Sequence, residues 1–286
     1  MFFPEIKGPC FCCEPFALLV LTVIATLVIS LSSLFTLKKT KNVVFKSICI
    51  TIVISGMLLA IITAHPDLKR FIFSRVFILI YNSKSSNVMD RLVRCPLLAK
   101  VTGKVLEIGP GPGSNFRCLY KNLISEWVGI EPNGYFKEAQ EQEIRRYNIS
   151  FPTRTVHSEN MTSIESDSFD YVIATHVLCS VNKPSQLLNQ IARVLKPNGG
   201  VYVFLEHVSA QYGWTRFSQT LFAPLFDALG GGCAFKNTFD DIAMLATPDS
   251  HNELKGKFKV DLEYFEAPVP IYLLVPHIRG NVTRTA

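Results

Sequence analysis

Between Lys104 and Phe116 the chain reads Lys-Val-Leu-Glu-Ile-Gly-Pro-Gly-Pro-Gly-Ser-Asn-Phe. An apolar run carries one acid, Glu107, and glycines follow at alternate positions, Gly109, Gly111 and Gly113. Glycine accepts positive φ and puts no Cβ between the main chain and a ligand. A strand leading into such a turn builds a nucleotide-type binding site at the carboxyl edge of a parallel sheet. A second apolar run, Trp127-Val-Gly-Ile, ends in Glu131. A carboxylate at that place accepts hydrogen bonds from both hydroxyls of a ribose, whatever the rest of the nucleotide.

Downstream residues narrow the chemistry. A dinucleotide fold places its third glycine, or an alanine, where Ser114 stands, so Gly-x-Gly-x-x-Gly is matched poorly. Read as Glu-x-Gly-x-Gly-x-Gly, the same stretch fits the S-adenosyl-L-methionine loop of class I methyltransferases. The loop His157-Ser-Glu-Asn-Met follows a short apolar strand and is expected beside an adenine. There Glu159 or a neighbouring amide takes the exocyclic amine and Met161 covers the ring. Thr175, at the exit of the strand Tyr171 to Ala174, completes the expected cofactor set. That set is Glu107, Gly109, Gly111, Gly113, Glu131, Glu159, Asn160, Met161 and Thr175.

His176 and His207 both follow carboxyl ends of strands and are the candidate catalytic bases. His277 reads as structural, and Cys179 as a small buried residue. Methyl transfer from a sulfonium is an in-line displacement, so alignment and desolvation supply most of its rate. A thiol acceptor has a reference pKa of about 8.5. A minor thiolate fraction therefore reacts even without a dedicated base. The aromatic residues Tyr212, Trp214, Phe217, Phe222 and Phe226 predict a lid over an apolar substrate, within an irregular insert from His207 to Phe235.

The chain has 286 residues, a formal net charge of +6 and eight cysteines. That charge is too mild and too scattered to argue for nucleic acid. The cysteines form no paired CxxC array, so no metal is expected, and their scatter suits reduced thiols. Cys10, Cys12 and Cys13 precede an apolar run, a setting for palmitoylation.

Phe16 to Leu37 and Ser47 to Ala64 are uncharged apolar runs of about bilayer length, separated by Lys38, Lys39, Lys41 and Lys46. They predict a membrane anchor of two helices over residues 1–64, with a lipid bilayer as partner. Residues 65–90 form a connecting segment in which Phe71 to Tyr81 predicts an interfacial amphipathic helix that also roofs the site. Residues 91–286 form the catalytic domain. The methyl donor is made in the cytosol, so this domain is expected on the cytosolic face. A glycan on Asn160-Met-Thr would otherwise block the pocket.

The element order from Lys104 alternates. It runs strand (Val105 to Ile108), helix (Ser114 to Leu123), strand (Trp127 to Ile130), helix (Gly134 to Tyr147) and strand (Thr153 to Val156). Next come strand (Tyr171 to Ala174), helix (Pro184 to Leu195), strand (Gly200 to Glu206) and a helix near Thr238 to Leu245. A strand pair, Lys257 to Glu266 and Val269 to Val275, closes the chain. The expected fold class is α/β, a Rossmann-like, seven-stranded, mostly parallel sheet with a closing antiparallel hairpin, preceded by an α-helical membrane anchor.

Three further blocks carry a resemblance. Thr175-His-Val-Leu-Cys-Ser-Val, Glu206-His-Val, and Ala267-Pro-Val-Pro with Val275-Pro-His-Ile resemble the membrane-associated methyltransferase-like proteins of family seven, the alkyl thiol S-methyltransferases. The likeness runs from about Lys69 to the end. It implies methyl transfer from S-adenosyl-L-methionine to small lipophilic thiols. It also implies residence on the endoplasmic reticulum membrane and on lipid droplets. Departures are Pro110 and Pro112 within the loop, Glu131 in place of an aspartate, His176 in place of an apolar residue, and the additional run Phe16 to Leu37. Two other functions fit the same residues. One is methylation of a lipid, quinone or sterol at oxygen, nitrogen or carbon; the other is a membrane or lipid-droplet protein without turnover. Ser114 and the closing strand pair disfavour a nicotinamide oxidoreductase.

Overall fold

The computed structural model describes residues 43–81, 84–157, 161–229, 231–247 and 256–285. Contacts divide them into two units, the first ending at Arg70 and the second running on from Phe71. The first unit contains helix α1 (Val43–Ala64), which leaves Ile54, Met57 and Leu58 exposed. Among the described residues no helix is long and apolar enough to cross a membrane. The second expected anchor run, Ser47 to Ala64, is helical within α1, and the first, Phe16 to Leu37, lies outside the described residues.

The second unit is built on strands β1 (Gly103–Ile108), β2 (Ile124–Ile130), β3 (Thr153–Val156), β4 (Tyr171–Thr175), β5 (Val201–His207), β6 (Phe258–Glu266) and β7 (Pro276–Arg284). They form one sheet in the order β3-β2-β1-β4-β5-β7-β6. The first five are parallel, and β7 runs antiparallel to both β5 and β6. The chain reverses its direction of travel across the sheet between β1 and β4, which opens a crevice at their carboxyl ends.

Helices α2 (Pro66–Tyr81), α3 (Lys84–Met89), α4 (Cys95–Leu98), α5 (Lys137–Arg146), α6 (Pro184–Val194), α7 (Gly213–Leu229) and α8 (Thr238–Ala243) accompany it. Side chains alternate along each strand, so apolar residues on both faces require a covering layer on both sides. Val105, Ile173 and Val203 join Leu98, Phe116 and Trp127 in one core. Leu106, Val172 and Phe204 join Leu187, Leu188 and Ile191 of α6 in the other. Each such buried aliphatic side chain contributes roughly 1.5–3 kcal/mol. Helix α6 opens on Pro184 and is followed by Asn198 and Gly199 at positive φ, so sequence sets both of its ends.

Four expectations are corrected here. The predicted helix from Ser114 to Leu123 is replaced by two short 3-10 turns, Phe116–Cys118 and Lys121–Leu123. Phe116 is buried and Cys118 is bridged to Cys95, while Leu119 is already extended, so a regular helix cannot propagate. That bridge also overturns the expectation of reduced thiols throughout. The insert from His207 to Phe235 is not irregular, because it holds α7. The last strand is Pro276–Arg284 and not Val269 to Val275, because Pro268 and Pro270 cannot donate to a ladder.

Candidate active site

The glycine loop leaves β1 with Gly109, Gly111 and Gly113 at φ of 60°, 56° and 90°. Glu107 is buried beneath it. Trp127 Nε1 donates to Glu107 Oε2 at 2.9 Å, and Asn115 Nδ2 donates to Glu107 Oε1 at 2.9 Å. The same Asn115 amide donates to Thr175 Oγ1 at 3.1 Å. Burial pushes the Glu107 carboxyl up to about 7 against the pull of these donors. Glu131 is also buried, and burial takes it to about 7 as well. It accepts from the main-chain amides of Gly111 and Asn133, each at 2.8 Å. Gln140 of α5 donates to Gly111 O at 2.6 Å and accepts from Thr155 at 3.0 Å, which fixes the loop from its other side.

Helix α2 covers this loop from Phe71 onward. A Cβ added at Gly111 would meet the Phe77 ring at 3.7 Å, and Phe73 and Phe77 both pack against Phe136. At the end of the helix, Tyr81 OH donates to Glu143 at 2.7 Å and accepts from Arg117 Nε at 2.9 Å. Arg117 also pairs with Asp90 at 2.6 Å. The segment predicted as an interfacial helix thus packs on the catalytic unit.

Three histidines meet at the carboxyl edge. His277 lies opposite His207 in the β5–β7 register, and His277 Nε2 is 3.0 Å from His176 Nε2. The Val275 carbonyl only accepts, so His277 Nδ1 carries the hydrogen at 3.2 Å. Burial holds His277 down to about 3 and His176 well below its usual range, so both rings are neutral. His176 Nε2 therefore donates to His277 and its lone pair lies on Nδ1. His176 itself sits at φ 59°, a conformation uncommon outside glycine. His207 Nε2 is 2.7 Å from Cys233 Sγ.

The expected residues divide accordingly. Glu107, Gly109, Gly111, Gly113, Glu131 and Thr175 come together around the loop. His176 and His207 meet beside it, joined by His277, which sequence reading took as structural. Met161 belongs to the core cluster, with its carbonyl accepting from Arg193 at 3.0 Å. Glu159 and Asn160 lie outside the described residues. Asn115, Trp127 and Gln140 were missed, although each is an amide or indole donor adjacent to a predicted acid or loop. A cleft of about 620 Å³ beside the disulfide, lined by Asp90, Arg91, Arg117 and Tyr147, holds none of the predicted site residues.

Two buried polar atoms next to the loop, Ser114 Oγ and Asn115 Oδ1, have no partner among the described residues. Unpaired buried groups are costly. Here they line a cradle of glycines between two carboxyls, which fits a ligand with ribose hydroxyls and a charged amino-acid end.

A sheet of this order, with acids at the carboxyl end of β1 and just after β2 and an antiparallel closing strand, defines a class I S-adenosylmethionine-dependent methyltransferase. The methyltransferase domain family matches residues 106–203. The fold is shared with the carbon methyltransferase CurJ at a TM-score of 0.50 and 18% identity, covering 72% of this chain and 56% of that one. Human thiol S-methyltransferase TMT1A is 31% identical over 216 residues, covering 73% of this chain and 83% of the relative. Human thiol S-methyltransferase TMT1B is 30% identical over 194 residues, covering 65% and 74%. The chain belongs to the thiol S-methyltransferase family.

Proposed function

We propose that this enzyme moves the methyl group of S-adenosyl-L-methionine to the sulfur of a small lipophilic thiol at a membrane surface. The observation that carries the reading is the shared edge of two sites. Val177 lies so close to the glycine loop that a Cβ at Gly109 would meet it at 2.8 Å, and it adjoins His176 directly in the chain. When bound, the sulfonium supplies an already activated methyl. Glu131 then accepts from the ribose hydroxyls, and Ser114, Asn115 and Thr175 meet the polar amino-acid end. Glu107 holds Asn115 and Trp127 in place for this. The aromatic face of α2 excludes water above the loop, which strengthens every polar interaction beneath it. Burial holds His176 well below its usual range, so it accepts a proton weakly, and a thiol acceptor needs no dedicated base.

Attachment to a membrane is supported by apolar residues left exposed. They include Leu79 and Ile80 near the end of α2, and Trp214, Phe217 and Leu221 on α7. Trp214 and Phe217 stack with ring centroids 5.1 Å apart. Exposed apolar clusters mark a partner, and a bilayer is one that also concentrates lipophilic thiols.

The test uses membranes containing the full chain, labelled S-adenosylmethionine, and a panel of lipophilic thiols, alcohols and amines, with Glu131→Ala as control. Labelled thioether that is absent from the control supports the reading. Label in an alcohol, amine or endogenous lipid, with none in thiols, overturns the acceptor.

A further inference from the structure

Cys179, His207 and Cys233 come from three separate stretches of the chain, and the fold brings their side chains together. Cys179 lies in the loop after β4, His207 ends β5, and Cys233 lies in the loop after α7. One donor atom from each lies within 4.8 Å of the others, and all three residues are buried. The approach is held by main chain. Ala234 N donates to Cys179 O at 3.1 Å, and Ser209 N donates to Lys236 O at 3.0 Å. The loop carrying Cys233 is thereby tied to the segments carrying the other two residues.

Two sulfurs and an imidazole nitrogen are the donor set of a borderline-soft cation. Zinc bonds of about 2.3 Å to sulfur and about 2.0 Å to nitrogen set tetrahedral ligands about 3.5–3.8 Å apart, inside the 4.8 Å limit, and the ion replaces the direct 2.7 Å contact of His207 Nε2 with Cys233 Sγ. Two thiolates with a neutral imidazole cancel the charge of a divalent ion, which is what burial requires. Among the described residues the group has three protein donors. Structural zinc sites have four, and catalytic ones keep three with an open position.

We propose that Cys179, His207 and Cys233 bind a zinc-like divalent cation whose fourth position takes the substrate sulfur. The second half of this statement rests on the thiol reading above. Cys179 stands two residues after Val177, whose side chain borders Gly109, so the cysteine–histidine group lies on the segment that adjoins the cofactor loop. A thiol bound there releases its proton to solvent and remains as a thiolate. Its lone pair forms a new carbon–sulfur bond while the methyl–sulfonium bond breaks, giving a thioether and neutral S-adenosylhomocysteine. The thioether is the weaker ligand and leaves. The proposal departs from the sequence expectation of no metal for a topological reason: the ligands are too far apart in the chain to show any CxxC spacing.

The experiment strips the reduced full chain with a chelator and titrates it with Co²⁺ under anaerobic conditions. One ion per chain is expected, with a thiolate-to-cobalt charge-transfer band and the visible bands of a tetrahedral ion. Cys179→Ser and Cys233→Ser should each halve the charge-transfer band, and the double variant should abolish it. Binding of S-adenosylmethionine, followed by calorimetry, reports that each variant is folded. A small lipophilic thiol should shift the visible bands of the unsubstituted protein. A cobalt spectrum without charge transfer, or one unchanged in both serine variants, overturns the site. So does a Cys179–Cys233 disulfide in the protein as purified. If cobalt binds through two thiolates but thiols leave its spectrum unchanged while still being methylated, the open fourth position is overturned. If cobalt binds and thiols are never methylated, the substrate reading fails and the metal site stands.

Discussion

The main-chain amide of Gly111 donates to Glu131 Oε2 at 2.8 Å, so the glycine loop and the acid after β2 are joined before any ligand arrives. The acid holds the loop open, and the loop amide helps to hold the acid's charge. Ribose hydroxyls then meet an acceptor that is already oriented, which lowers the ordering cost of binding.

Because Glu131 titrates near 7, cofactor affinity should depend on pH in that region. The carboxylate accepts two hydroxyl hydrogens and the neutral acid does not. Affinity should fall about tenfold per pH unit below 7. Calorimetric titrations of S-adenosylmethionine between pH 5 and 8.5 would show the slope, and Glu131→Gln should bind weakly with the slope removed.

Stability of the ligand-free protein should run the other way. Glu107 and Glu131 are both raised from 4.5 to about 7 in the fold. A raised acid pKa means that folding favours the neutral form. Its contribution is fully present below 4.5 and is lost as pH rises through 7. Thermal midpoints should therefore decline across that window, and Glu107→Gln should flatten part of the decline.

Gly109 and Gly111 should respond differently to a methyl group. Both have positive φ, so either alanine is strained by about 1 kcal/mol. At Gly109 the new Cβ would also meet Val177 at 2.8 Å, whereas at Gly111 the nearest atom is Phe77 at 3.7 Å. Urea unfolding should show Gly109→Ala as the more destabilising substitution. Equal losses would mean that Val177 gives way.

Tyr81 links α2 to α5 and to Arg117 through one hydroxyl, and burial with the Glu143 bond pushes that hydroxyl above its usual range. Tyr81→Phe leaves Glu143 and Arg117 without that partner. It should cost about 1–3 kcal/mol in unfolding free energy. Because the aromatic face of α2 lies on the loop, cofactor affinity should fall too, which a purely local defect would not produce.

The Cys95–Cys118 bridge joins positions 23 apart in sequence and encloses all of β1 and the glycine loop. Removing a loop constraint of that size costs about 3 kcal/mol in the chain-entropy account. Unfolding with and without reductant should differ by that amount. Cys118→Ser should match the reduced protein and no longer respond to reductant.

Strands β1, β2, β4 and β5 were legible because each is a short, mainly apolar run bounded by glycine or an acid, and the loop was legible because its spacing is chemical. Glu131 stood out as a lone acid ending an apolar strand. Helix α7 was hidden because Tyr212, Trp214, Phe217 and Leu221 remain exposed, so its apolar face does not mark a core. The bridge and the cysteine–histidine cluster were illegible because both form only in the fold. Cys95 and Cys118 meet because the short helix before β1 folds back on the turn after it, and Cys179 meets His207 because the sheet order sets β4 beside β5.

The chain has two tryptophans, Trp127 and Trp214. Trp214 is 73% exposed, while Trp127 is wholly buried with its indole nitrogen on Glu107. The fold has thus wired a fluorophore to the acid at the base of the glycine loop. In a Trp214→Phe background the remaining indole would emit from one place only. Its brightness would follow the charge on Glu107, so that cofactor arrival, departure and exchange could be timed by light in unlabelled protein.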